Sequence, residues 1–327
     1  MLRLIPVLLI LPFHFAAGQE IPHIEHLVQL DGYVTTYHAP GCEAKAMYLQ
    51  DLLEDAVLFY EAKLEDTFDL KLLVLNREAW KYYAGTPFPL GEFSRDPYRI
   101  IMPDVNLFRF RSGPDFSLYG QNEAYFWDFV AVHELGHYIA VSQEARCYTL
   151  WLGEFFADYV QLGFMIERIP DFGYPKWFFS LWKVVPFKYK NLEACNYSED
   201  ISPANYVAYQ AKFHELAQEI FAKKGWSFFN EHLVHFQELA ERVRHEQKRY
   251  TSEEIFNYSV AYLEEADPEV FNNWKATMKK SPHYVIILII LAFPVAGSAV
   301  RKRFKALFFT STVLLLLWIS LFLLVRI

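Results

Sequence analysis

The chain has 327 residues, 53% of them hydrophobic and 18% aromatic, with three cysteines and a formal charge of −8 at pH 7. An acidic balance argues against nucleic acid as a partner, because neutralising phosphates calls for the opposite sign. Cys42, Cys147 and Cys195 allow at most one internal disulfide and form no C-x-x-C pair, which excludes a disulfide-built scaffold.

The first stretch, Met1-Leu2-Arg3-Leu4, then an apolar run from Ile5 to Phe15, then Ala16-Ala17-Gly18, has the three regions of a secretory signal peptide. Its apolar core is short for a bilayer span, so residues 1–18 are expected to be a leader cleaved after Gly18. Leu27 to Tyr37 predicts a hairpin turning at Asp31-Gly32. Glu43 to Leu64 carries apolar residues at helical spacing, among them Leu49, Leu53, Val57 and Tyr60, and predicts an amphipathic helix. Leu70 to Leu75 and Tyr98 to Pro103 read as short strands. Residues 19–120 are therefore expected to form the α+β amino-terminal part of a folded domain.

Asp104 to Gly120 reads as a loop, broken by Gly113-Pro114 and Gly120. Helices are expected at Gln121 to Gln143 and over Trp151 to Leu162. Ile169 to Pro203 is rich in proline and aromatic residues without clear periodicity; a lid, a membrane-surface segment and a packed loop all fit it. Four more helices are expected: Ala204 to Lys224, Ser227 to Arg244, Ser252 to Ala266 behind a Thr251…Glu254 capping box, and Pro268 to Lys280. They make residues 121–280 a helical second part of the same domain.

Two apolar runs, 284–300 and 306–325, flank the basic stretch Arg301-Lys302-Arg303-Phe304-Lys305. They predict a transmembrane hairpin over 281–327 with its loop in the cytoplasm, the alternative being one span preceded by an interfacial segment. With the leader, this puts residues 19–280 on the extracytoplasmic side, whether periplasmic, extracellular or lumenal.

The chemistry gathers on two helices. His133-Glu134-Leu135-Gly136-His137 puts two imidazoles one turn apart on one face, aimed at a common point, with Glu134 beside the first. From Phe129 to Gln143 Glu134 is the one acidic or basic side chain apart from the histidines, so these groups lie in an apolar helix and need partners. Glu154 and Asp158, again four apart, sit in the next apolar helix, and two acids so placed call for a positive partner. A metal with its histidine ligands fits both requirements, and a catalytic zinc takes three protein ligands and keeps one position open. His214-Glu215 imitates the motif without its second histidine and is read as ordinary helix surface; Glu231, His232 and His235 fit no metal pattern and are read as surface or core packing. The metzincin continuation is ruled out because Ala140 and Gln143 stand where glycine and histidine are required.

The pattern H-E-x-x-H followed by E-x-x-x-D resembles the gluzincin zinc metallopeptidases, between Leu70 and about Gly225 and most closely in the two motif helices. The resemblance implies a zincin-like α+β catalytic domain with a small sheet, an active-site helix and a mostly helical second half. It implies His133, His137 and Glu154 as zinc ligands, Glu134 as general base and Asp158 as acceptor of the free N–H of His133. Tyr209, with Tyr206 in reserve, would donate to the oxyanion, and Tyr98 to Met102 would be the sheet edge along which a peptide substrate lies. The expected activity is peptide-bond hydrolysis by a membrane-anchored, zinc-dependent metalloprotease. The alternative is a catalytically idle zincin-fold protein that binds a partner or senses an envelope component; Glu134 argues against it, since zinc binding alone does not need that residue.

Overall fold

The computed structural model describes residues 26–84, 91–95, 98–104, 123–145, 147, 149–168, 192, 203–246 and 250–278. The expected leader over 1–18, positions 105–120 of the expected loop, nearly all of 169–202 and the apolar runs at 284–300 and 306–325 lie outside the described residues.

The fold is α+β and mostly helical, with one small mixed sheet. Strands β1 (Val28–Leu30) and β2 (Thr35–His38) form the antiparallel hairpin expected around Asp31-Gly32. Helix α1 follows over Glu43–Leu64, then β3 over Lys71–Leu75, a short α2 over Arg77–Tyr83, β4 over Glu92–Arg95 and β5 over Tyr98–Pro103. The sheet order is β1-β2-β3-β5-β4, with β2, β3 and β5 parallel and the outer pairs antiparallel. Two elements have no counterpart among the expectations. Helix α2 is only two turns long, started by Asn76, whose side chain accepts from the Glu78 and Ala79 N–H groups. Strand β4 is four residues of mixed polarity, too short for an alternating pattern to stand out.

β4 also corrects one expectation. β5 is not an edge, because it lies between β3 and β4; among the described residues the edge on that side is β4.

Side chains alternate across the two sheet faces. Leu73, Leu75 and Ile101 point to one face and cluster with Trp80 and Tyr83 of α2. Helix α1 packs on the sheet as well, its Gln50 and Glu54 side chains bonding the Val34 carbonyl and N–H and so tying down the β1–β2 hairpin. Helices α3 (Glu123–Ser142) and α4 (Leu150–Arg168) carry the two motifs and pack against each other; α3 also lies on β4 and β5. Behind α4 stands α6 (Trp226–Glu246), whose Phe228 and Phe229 meet Phe155, Phe156 and Tyr159.

The chain divides into two compact units, one of residues 11–172 and 217–255 and one of 1–10, 173–216 and 256–327. The first holds the sheet, α1 to α4 and α6. The second holds the start of α5 (Pro203–Lys224), most of α7 (Ser252–Ala266) and α8 (Pro268–Met278). Its core is aromatic: Trp274 stacks near Phe271 and Phe213, and its Nε1 donates to the Lys212 carbonyl at 2.6 Å. The expected capping box starts α7, with Thr251 N–H on Glu254 at 2.8 Å and Glu254 N–H on Thr251 Oγ1 at 3.2 Å.

The membrane-spanning expectation requires correction: among the described residues no helix is long and apolar enough to cross a membrane. The long apolar helices are interrupted by ionisable side chains, Glu134 in α3 and Glu154 and Asp158 in α4. The runs at 284–300 and 306–325 fall outside the described residues.

Candidate metal centre

Helix α3 is sandwiched because it is apolar nearly all round: Ala131, Val132, Leu135, Tyr138 and Ile139 are all buried. Its close neighbour is α4, and Gly136, inside the motif, sets how close. A β-carbon at Gly136 would stand 2.7 Å from the Ala157 Cα and 3.1 Å from its carbonyl oxygen. Only a residue without a side chain lets the two backbones meet there. That contact brings the acids of α4 within reach of the histidines of α3.

His133, His137 and Glu154 each offer a ligand atom, and these atoms lie within 4.8 Å of one another. His133 Nε2 is 3.3 Å from Glu154 Oε2 and His137 Nε2 is 3.7 Å from Glu154 Oε1. Ligands about 2.1 Å from a shared tetrahedral ion stand roughly 3.4 Å from each other, and these two separations are of that order. The group could hold a metal ion. The two imidazoles are edge-on, with ring centroids 4.9 Å apart and planes at 84°. His137 is the more open of the pair, its side chain 23% exposed against 11% for His133.

Behind the ligands, Asp158 is fully buried and its Oδ1 lies 2.7 Å from His133 Nδ1. A carboxylate there orients the ring and leaves Nε2 for the metal. Both nitrogens of His133 thus face carboxylates. Burial favours a neutral ring, but the bonds to Asp158 and Glu154 outweigh it and hold its proton well above the ordinary imidazole range when no metal competes.

Glu134 is buried and points toward β4. Burial first, and then the charges of Glu154 and Glu92, push its carboxyl up to about 7, against the pull of His133 and a backbone hydrogen bond from Phe93. The approach of β4 depends on Gly91, whose φ of +133° suits glycine. A β-carbon at Gly91 would lie 2.3 Å from Val130 Cγ1 and 3.6 Å from Glu134 Oε1. Gly91 and the Phe93 backbone belong to the site's frame yet were not singled out in the sequence; a glycine at the start of a strand was the available signal.

Tyr209 belongs to the second unit, where it is buried and stacks on Phe213 with ring centroids 6.1 Å apart. Tyr206 lies on α5, its side chain outside the described residues. His214, expected at the helix surface, is instead buried, and it bonds the Gln210 carbonyl within its own helix. His232 lies flat on Phe156, centroids 4.2 Å apart, with Cys147 Sγ 3.4 Å from its Nε2, a packing contact between α6 and the α3–α4 connection. Cys42 and Cys147 are free thiols.

No protein-family model matches this sequence, and comparison with curated proteins gave no match.

Proposed function

We propose that this chain is a zinc metallopeptidase of gluzincin type, hydrolysing peptide bonds with Glu134 as general base. The observation that carries the proposal is the pairing of a His133, His137, Glu154 donor set with a buried acid on either side of it, Asp158 on His133 and Glu134 toward the edge strand. Two imidazoles and a carboxylate in this arrangement suit zinc. Bound zinc would supply Lewis-acid polarisation of a water and of the substrate carbonyl.

The chain's own residues supply the rest. Asp158 holds His133 in one tautomer. Glu134, with a carboxyl near neutrality, is suited to take a proton from the attacking water and to return it to the leaving amine. Strand β4, the outermost on that side of the sheet among the described residues, lies beside Glu134, where an extended peptide can add as a further strand.

The whole reading is tested by incubating the purified protein with a broad peptide library, zinc-loaded and after chelation. Cleavage that disappears on chelation and returns with zinc is expected. Zinc-loaded protein that cleaves nothing would count against a peptidase.

A further inference from the structure

The sheet face opposite α3 carries a second set of polar groups. On that face the apolar cluster occupies one row of register partners, Leu73 and Ile101 beside Tyr37. One row closer to the start of β3 and β5, and on the same face, the register aligns Thr35, Lys71, Arg99 and Ser94 on four adjacent strands. Two cations stand side by side there between two hydroxyl residues.

Arg99 is 7% exposed. Its Nη2 makes a long contact to the Tyr83 carbonyl at 3.4 Å, at the end of α2, while Nε and Nη1 are buried without a hydrogen-bond partner. Among the described residues neither Arg99 nor Lys71 forms an ion pair. Glu92, one row along on β4, attracts Arg99 through space without touching it. A guanidinium cannot give up its charge by losing a proton, so a buried one with unused donors calls for a further acceptor.

We propose that the row Thr35–Lys71–Arg99–Ser94 binds a carboxylate group, with Arg99 as its principal contact, Lys71 as second cation and the two hydroxyls as lateral donors. Arginine matches oxyanions through several N–H groups at once. The charge of Glu92 nearby opposes a dianion such as phosphate, which selects the singly charged carboxylate. The row lies on the opposite sheet face from the metal centre, so this site is separate from the ligands His133, His137 and Glu154. The carboxylate can belong to a free small acid or to a peptide.

The test is calorimetric titration of the full chain, kept metal-free with phenanthroline so that no metal can take up the anion. The probes are acetate, sulfate, and a short blocked peptide ending in a free carboxylate or in its amide. Saturable binding of acetate is expected, weaker for sulfate, and weakened at least about tenfold by Arg99→Met. Lys71→Met, at a partly exposed position, should weaken it severalfold and carries the test if the Arg99 variant does not fold. Peptide acid binding more tightly than both acetate and the amide identifies a peptide source; equal affinity for acetate and peptide acid identifies a free acid. Absence of saturable acetate binding, equal binding in wild type and the folded variants, or preference for sulfate would overturn the proposal.

Discussion

Three buried acids, Glu134, Glu154 and Asp158, have three different sets of neighbours. Glu154 faces both imidazoles, Asp158 faces the rear nitrogen of His133, and Glu134 faces the outer strand β4. Each assignment has its own prediction. Asp158→Asn keeps the shape but removes the charge behind His133, so metal affinity should fall about 10- to 100-fold in a chelator competition. Unchanged affinity would reduce Asp158 to a packing residue. Protons and metal compete for His133. In the metal-free protein its raised pKa contributes stability that is fully present below about pH 6.5 and is lost as pH rises through the higher folded value. Metal needs the neutral ring, so the rise in Tm on adding zinc should grow across that same window. A rise independent of pH would exclude histidine ligation.

At the scale of elements, the sequence was readable where geometry is local. The four-residue spacings His133/His137 and Glu154/Asp158 follow from helical periodicity alone, and α1 matches its expected bounds because its apolar positions recur at one helical face. Which strand forms the edge was not readable, since that depends on how β5 pairs on both sides and β4 has only four residues. Nor does the spacing reveal that Gly136 lies against the Ala157 backbone. Gly136→Val should push α3 from α4, costing on the order of 1–3 kcal/mol in denaturant unfolding of the chelated protein and weakening metal binding as well. A variant as stable and as metal-avid as wild type would show that the helix crossing does not set the site. By contrast, Thr251→Ala removes one half of the α7 capping box far along the chain from either motif; it should cost about 1 kcal/mol and leave metal affinity alone.

At the scale of the molecule, a small sheet supports an apolar helix pair, and the apolar character of that pair is what makes its few ionisable groups informative. Buried carboxylates and imidazoles are retained at a cost unless they satisfy one another or hold an ion. Here they converge on one point, with an open histidine on one side and the backbone of an edge strand on the other. Metal removal should therefore lower the stability of the whole unit: at a free zinc concentration a hundredfold above Kd, the loss is about 2.7 kcal/mol, readable as a drop in Tm on chelation. The central claim separates holding the metal from using it. The most direct test measures zinc content and peptide hydrolysis together in wild type, Glu134→Gln and Glu154→Ala. The account predicts that Glu134→Gln retains zinc but loses roughly 100- to 10,000-fold in hydrolysis, while Glu154→Ala loses the zinc itself. Equal hydrolysis by wild type and Glu134→Gln, or full zinc retention in Glu154→Ala, would contradict it.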